Sequence, residues 1–126
     1  MSDEKLYTGG CHCGAVKFEA LGPVKPDMIQ CNCSMCNKTG YIHLFVTKDN
    51  FRLLKGEENI ELYQFNSMIA KHYFCKTCGI KSFYVPRSHP DGYSLHAGCI
   101  DNIDLSDHDV KPFDGGNWEK NVETIR

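Results

Sequence analysis

The spacing of the cysteines constrains this chain more than any other feature of its sequence. Eight cysteines occur in 126 residues. Seven of them form three short groups, and the eighth is isolated: Cys11-x-Cys13, Cys31-x-Cys33-x-x-Cys36, Cys75-x-x-Cys78, and Cys99. Closely spaced cysteines on a tight turn can direct several thiolates at one tetrahedral ion, which is the geometry that zinc requires. Glycines adjoin the first and third groups and allow such turns.

The compartment in which these thiols act decides between metal ligands and disulfides. Residues 1–5 are polar and lack the apolar segment of a secretory signal, and no apolar run is long enough to span a bilayer. We therefore expect a cytoplasmic protein with no membrane partner, in which thiols stay reduced. Grouped cysteines in that setting indicate metal binding sooner than a disulfide framework.

Length and charge narrow the class of protein further. The chain has one domain's worth of sequence, 41% hydrophobic and 24% charged, and we expect a single zinc-binding domain over residues 1–126. The net charge is −2 and the basic residues are scattered, which argues against nonspecific binding of nucleic acid. Four aspartates lie between Asp101 and Asp109. They lack the glycine and final glutamate of a calcium loop, so we interpret this stretch as a solvated loop.

Hydrophobic patterning predicts a mainly β domain with long loops. Alternating, β-branched or aromatic stretches predict strands at five places: Ala15–Leu21, Tyr41–Val46, Met68–Phe74, Lys81–Val85 and Tyr93–Ala97. Phe51–Lys55 and Ile60–Phe65 flank Gly56 in the pattern of a hairpin. The sequence suggests one short helical turn over Ser34–Lys38, and from Asp101 onward we expect irregular structure.

Counting ligands suggests how the cysteine groups divide. A closed structural zinc site needs four protein ligands, whereas a catalytic site keeps three and leaves one position open. Pairing the two doublets gives a closed site, which would tie the N-terminal segment to the middle of the chain: Cys11, Cys13, Cys75 and Cys78. Three cysteines then remain for a second site with an open position for water or a substrate thiolate: Cys31, Cys33 and Cys36.

Other assignments stay open at this point. Cys99 could close the triplet into a second structural site, or it could be a small buried hydrophobic residue. Cys33 and Cys36 also form a Cys-x-x-Cys pair of the redox type. The six histidines carry no motif of their own.

Three segments resemble one known family. They are Gly9-Gly10-Cys11-His12-Cys13-Gly14, Cys31-Asn32-Cys33-Ser34-Met35-Cys36 and Phe74-Cys75-Lys76-Thr77-Cys78-Gly79. The pattern resembles the glutathione-dependent formaldehyde-activating enzymes, a family that also contains centromere protein V. The likeness extends from Gly9 to the segment Phe113-Asp114-Gly115-Gly116-Asn117-Trp118.

The resemblance implies a fold, a cofactor and an activity. The fold would be a β-tent of small antiparallel sheets stabilised by a four-cysteine structural zinc site. The cofactor would be Zn²⁺, one ion at that site and one at a catalytic Cys31, Cys33 and Cys36. The activity would be that of a zinc-dependent carbon–sulfur lyase acting on a glutathione adduct. Its partner would be glutathione or another small thiol, joined to formaldehyde as S-(hydroxymethyl)glutathione. The sequence leaves two candidates to protonate the new alkoxide, His43 and water.

Two other classes of function compete with the enzyme. The likeness to centromere protein V allows a non-enzymatic binding module in which both zinc ions are structural. The β-tent relatives also include methionine sulfoxide reductases, so a redox function is a third hypothesis. Under that hypothesis Cys99 is the thiol to substitute, whereas the lyase reading predicts little effect of its loss.

Overall fold

A computed structural model describes residues 4–65 and 67–125, and within these residues the chain is mainly β, as predicted. The strands run in chain order: β1 Glu4–Gly10, β2 Lys17–Pro23, β3 Met28–Cys31, β4 Ile42–Thr47, β5 Phe51–Lys55, β6 Ile60–Tyr63, β7 Lys71–Cys75, β8 Phe83–Val85, β9 Gly92–His96 and β10 Val110–Phe113. The helices are α1 Ser34–Thr39 and α2 Trp118–Asn121. No helix in the described part is long and apolar enough to cross a membrane.

The strands form two sheets. A three-stranded sheet has the order β1-β2-β5, and a seven-stranded sheet has the order β10-β3-β4-β9-β8-β7-β6. All the strand pairs are antiparallel except β10 with β3, which run parallel. An isolated bridge between Gly9 and Ile100 links β1 to the segment that follows β9.

Two apolar clusters hold the sheets together. The larger one fills the space between them and includes the fully buried Tyr7, Phe18 and Leu95. Buried positions alternate along β2, where Phe18, Ala20 and Gly22 face the core, as the period of a half-buried strand requires. The smaller cluster contains Cys31 and Cys36 themselves, packed with Tyr41, Tyr84 and Phe113. The cysteine triplet is therefore built into a second core rather than displayed on the surface.

The hairpin predicted around Gly56 is wrong. β5 pairs with β2 in the small sheet, whereas β6 pairs with β7 in the large sheet. A single 3₁₀ turn at Glu57–Asn59 separates the two strands and redirects the chain. Periodicity alone identified both strands, but it could not reveal that their partners lie in different sheets.

Other boundaries differ more modestly. The strand predicted over Met68–Phe74 begins only at Lys71, because Met68 adopts a left-handed φ of 61° in a preceding turn. The helical turn predicted over Ser34–Lys38 is α1, which ends at Thr39 and is capped by Gly40 with a left-handed φ of 66°. β1 and β3 were not predicted. The stretch expected to be irregular contains β10 and α2.

Candidate metal centres and the cavity above the triplet

The four paired cysteines meet at one point. Cys11 and Cys13 lie in the turn between β1 and β2, while Cys75 ends β7 and Cys78 follows three residues later. Their Sγ atoms all lie within 4.8 Å of one another. This cluster links the small sheet to the large one.

The distances within this cluster fit a tetrahedral ion. The Sγ of Cys13 lies 3.6 Å from that of Cys11 and 3.7 Å from that of Cys75. Four thiolates about 2.3 Å from a tetrahedral zinc ion lie about 3.8 Å from one another. Backbone N–H groups of Val16 and Thr77 point at the sulfurs of Cys11 and Cys75, each at 3.3 Å. Such donors favour the thiolate form that a metal requires.

The triplet forms a second cluster away from the first. Cys31 ends β3, Cys33 caps α1, and Cys36 lies within α1. Their Sγ atoms also lie within 4.8 Å of one another. The Sγ of Cys33 accepts a hydrogen bond from the backbone N–H of Cys36 at 3.4 Å, which fixes the start of the helix and the sulfur together.

Proton sharing within the triplet indicates that its thiols need a cation. Hydrogen bonds from Cys31 and Cys36 lower the pKa of the Cys33 thiol to about 2. Contacts with Cys31 and Cys33 raise the pKa of Cys36 far above its usual range, and burial adds to the effect. Three neighbouring sulfurs cannot ionise together unless a positive charge compensates them. The donor set therefore fits a metal ion.

Cys99 belongs to neither cluster among the described residues. It lines a separate cavity with Cys11 and His96, near the four-cysteine cluster. Burial raises the pKa of its thiol to about 11, with the charges of Cys11 and Cys78 as further causes. A closing role for Cys99 at the triplet finds no support in this geometry.

His43 contacts the triplet from the sheet beneath it. Its Nε2 lies 3.2 Å from the Sγ of Cys36, and its Nδ1 lies 2.9 Å from the hydroxyl of Ser94 and 3.3 Å from that of Tyr84. Two hydroxyl groups thus face Nδ1, so we assign the ring proton to Nε2, which donates to sulfur. Burial lowers the pKa of His43 to about 3, so the ring is neutral at pH 7.

A buried cation lies nearby. The amino group of Lys81 lies 2.7 Å from Nδ1 of His72 and stands over the rings of Tyr84 and Tyr41, at 3.8 and 4.8 Å from their centroids. Burial lowers the pKa of Lys81 to about 8, although the charges of the Cys36, Cys33 and Cys31 thiolates act in the opposite direction. Sequence patterning placed this lysine in a strand and gave no sign of its surroundings.

The C-terminal segment approaches the triplet closely. A Cβ at Gly115 would lie 2.1 Å from the Sγ of Cys31, so only glycine leaves room there. Asn32, between two of the cysteines, donates to Asp114 at 3.0 Å and accepts from the N–H of Gly116 at 2.9 Å. The parallel pairing of β10 with β3 thus brings residues from the far end of the chain to the cysteines.

A cavity of about 400 Å³ opens above the triplet. All three cysteines line it, together with Phe45, Phe113, Arg87 and Trp118. Its volume lies within the range of small-molecule sites, and its walls are largely apolar. A small ligand can therefore reach the triplet, whereas the four-cysteine cluster lies outside this cavity.

Comparisons with known proteins agree with this arrangement. A Halomonas elongata protein named "Putative glutathione-dependent formaldehyde-activating enzyme" is 30% identical over 106 residues, which are 77% of this chain and 67% of that protein. A crystal structure of a Rhodobacter sphaeroides protein superposes with a TM-score of 0.74 at 34% identity and covers 84% of this chain and 99% of its own. The model of one family matches residues 6–119. The chain belongs to the glutathione-dependent formaldehyde-activating enzyme family.

Proposed function

We propose that this protein is a zinc-dependent carbon–sulfur lyase that acts on a glutathione adduct. In one direction it joins glutathione to formaldehyde, and in the other it releases them from S-(hydroxymethyl)glutathione. The observation that carries this proposal is the contrast between the two cysteine clusters, since one has four sulfurs and the other has three at the floor of a cavity. Membership of the family supports the choice of glutathione and formaldehyde as substrates.

The two clusters would serve different purposes. Cys11, Cys13, Cys75 and Cys78 would hold a closed structural zinc, and Cys31, Cys33 and Cys36 would hold a second zinc with one position open. When bound there, zinc lowers the pKa of a substrate thiol so that it is a thiolate at neutral pH. The cavity directs the substrate to that position and keeps its reacting end close to the cysteines.

The chemistry requires one bond to form and one to open. The thiolate sulfur of glutathione donates an electron pair to the carbonyl carbon of formaldehyde and forms the carbon–sulfur bond. The π pair of the carbonyl moves to oxygen, which takes a proton and becomes the hydroxyl of S-(hydroxymethyl)glutathione. In reverse, the hydroxyl loses its proton, the carbonyl re-forms, and the carbon–sulfur pair returns to sulfur.

The chain's own groups would position the reactants rather than exchange protons with them. Both ring nitrogens of His43 are engaged, one with Cys36 and the other with Ser94 and Tyr84. His43 is therefore a positioning residue in this proposal, and water supplies the proton. Phe45 and Phe113 line the cavity and limit the water around the reacting atoms.

Metal content per chain tests the proposal most directly. We would measure zinc in the wild type and in Cys33→Ser, each purified with and without glutathione. We expect the variant to lose one zinc per chain while it stays folded, and only the wild type to retain glutathione. Exchange between formaldehyde and its glutathione adduct, followed by NMR with labelled formaldehyde, should then accelerate with wild type alone.

The opposite result is equally clear. A zinc content that does not respond to Cys33, together with no retention of glutathione, would rule out the lyase. The protein would then be a zinc-stabilised binding module of the kind that the likeness to centromere protein V suggests.

A further inference from the structure

We propose that Arg87 binds a carboxylate of the substrate at the cavity above the triplet, so that the site selects thiols that carry an acid group. This inference rests on the proposed function, because it concerns the same cavity. It identifies a residue that binds the part of the substrate far from its sulfur. The cysteines alone do not show how that part is bound.

The charge of the cavity points to an anion. Among the described residues that line it, Arg87 is the only lysine, arginine, aspartate or glutamate. His72 also lines it, and burial, with the charge of Lys81, lowers the pKa of its ring to about 4. The described part of the wall thus carries a permanent positive charge at Arg87 and no carboxylate beside it. An acid group placed next to Arg87 gains from this local charge, and an ester does not.

The guanidinium group of Arg87 packs on an aromatic ring. Its Cζ lies 3.4 Å from the centroid of the Trp118 ring, which is the distance of a stacked cation. A stacked guanidinium keeps its N–H groups in its own plane, and they are then directed away from the ring. That planar set matches a carboxylate in a two-pronged contact.

The turn that carries Arg87 is itself fixed. Arg87 follows β8 and the buried Pro86, and the N–H of His89 donates to the carbonyl of Pro86 at 3.2 Å. The ring of His89 stacks on Phe45, with the centroids 4.2 Å apart. The side chain is therefore presented from a braced turn, so little conformational entropy is lost when it binds a ligand.

The stack also joins two distant parts of the chain across the cavity. Arg87 comes from the turn between β8 and β9, whereas Trp118 begins α2 directly after the segment that packs on Cys31. A thiol placed at the triplet and a carboxylate placed at Arg87 would span one cavity of about 400 Å³. A small acidic peptide with an internal thiol satisfies both ends.

Thiol binding by the zinc-loaded protein tests the inference. We would titrate wild type, Arg87→Met and Arg87→Lys by calorimetry with glutathione and with its diethyl ester, which keeps the thiol but blocks both carboxylates. S-methylglutathione and its ester would be run in parallel, because they lack the thiol. Arg52→Met is the matched control, since Arg52 is an exposed arginine paired with Glu19 in the other sheet.

We expect wild type to prefer each acid over its ester by about tenfold to a hundredfold, the range for a charged hydrogen bond. Arg87→Met should lose that preference, Arg87→Lys should keep part of it, and Arg52→Met should keep it all. The inference would be overturned if wild type and Arg87→Met preferred the acids over the esters equally. It would also be overturned if wild type bound acid and ester equally well, or bound neither.

The two proposals can fail separately. If glutathione binds no more tightly than S-methylglutathione while both acids still depend on Arg87, the thiol chemistry is wrong and the carboxylate site stands. If formaldehyde turnover proceeds and Arg87→Met leaves the KM for glutathione unchanged, the lyase stands and the role of Arg87 is wrong.

Discussion

The Nε2 of His43 lies 3.2 Å from the Sγ of Cys36, although the histidine lies on β4 and the cysteine on α1. Ser94 and Tyr84 face the opposite ring nitrogen, so the ring is held by contacts at both ends. A donor fixed in this way both orients the sulfur and withdraws part of its charge. Such outer contacts commonly tune the affinity of a metal site.

Replacing this histidine should weaken one metal site and spare the other. We expect His43→Gln to lower the metal affinity of the triplet by about tenfold or more, because the outer donor to Cys36 is lost or displaced. Stepwise removal of zinc with a chelator would measure this, and the four-cysteine cluster of the same sample is the control. Loss of both metals in parallel would show that the variant had disturbed the fold instead.

A pair of adjacent glycines offers a matched steric test. A methyl group at Gly115 would collide with the Sγ of Cys31 at 2.1 Å, whereas at Gly116 its nearest neighbour is an oxygen of Asp114 at 3.4 Å. We expect Gly115→Ala to reduce the free energy of unfolding by about 1–3 kcal/mol and to weaken the triplet's metal binding. Gly116→Ala should change stability by less than about 0.5 kcal/mol. Denaturant melts with metal analysis would check both, and equal effects would contradict the close approach.

Removing one cysteine from each cluster should lower the Tm by different amounts. Cys78→Ser removes a ligand from the cluster that joins the two sheets, and we expect the Tm to fall by about 10 °C or more. Cys33→Ser should lower it by only about 3 °C or less, because a serine hydroxyl can replace the sulfur as the cap of α1. Thermal melts by circular dichroism would compare the two, and similar losses would show that both metals support the fold.

His72 makes the free energy of unfolding depend on pH, in a direction that follows from its lowered pKa. Burial lowers its pKa to about 4, with the charge of Lys81 as the second cause, whereas an unfolded histidine titrates near pH 6.5. Between these values the unfolded chain binds more protons than the native one. The free energy of unfolding therefore falls as the pH drops from about 6.5 to 4, and it is unaffected by this group above that window.

A variant without the titrating ring isolates that contribution. His72→Asn keeps an acceptor for Lys81 but cannot ionise, so we expect it to lose less stability than wild type between pH 6.5 and 4. Urea unfolding of both proteins at equal metal loading would give the difference at each pH. Parallel pH profiles would mean that His72 keeps its ordinary pKa in the folded protein.

The two cysteine clusters could be predicted from the sequence because the spacing of neighbouring cysteines is a local property. Cys31, Cys33 and Cys36 lie on one strand end and one helical turn, so chain geometry alone brings them together. The pairing of Cys11 with Cys75 is long-range, yet it followed from counting ligands, since four thiolates close a site. The short helix after Cys33 was likewise visible as a local pattern.

The cavity could not be predicted, because it depends on contacts that spacing does not encode. Arg87 belongs to no motif, and the resemblance that includes Trp118 gives no sign of its partner. The two residues meet because β10 runs beside β3 and returns the C-terminal segment to the triplet. The contact between His43 and Cys36 likewise depends on how α1 packs against β4. The failed hairpin around Gly56 has the same origin, since the choice of strand partner is a tertiary property.

The parallel pairing of β10 with β3 also sets an order of events during protein synthesis. The last ligand of the four-cysteine cluster is residue 78, whereas the wall above the triplet arrives with Gly115 and Trp118. A chain is synthesised from its N-terminus, so all seven grouped cysteines are made before Gly115 and Trp118. A nascent chain therefore contains both groups of thiols before the C-terminal wall of the cavity has been synthesised. At that stage a metal ion can reach Cys31, Cys33 and Cys36 directly from solvent.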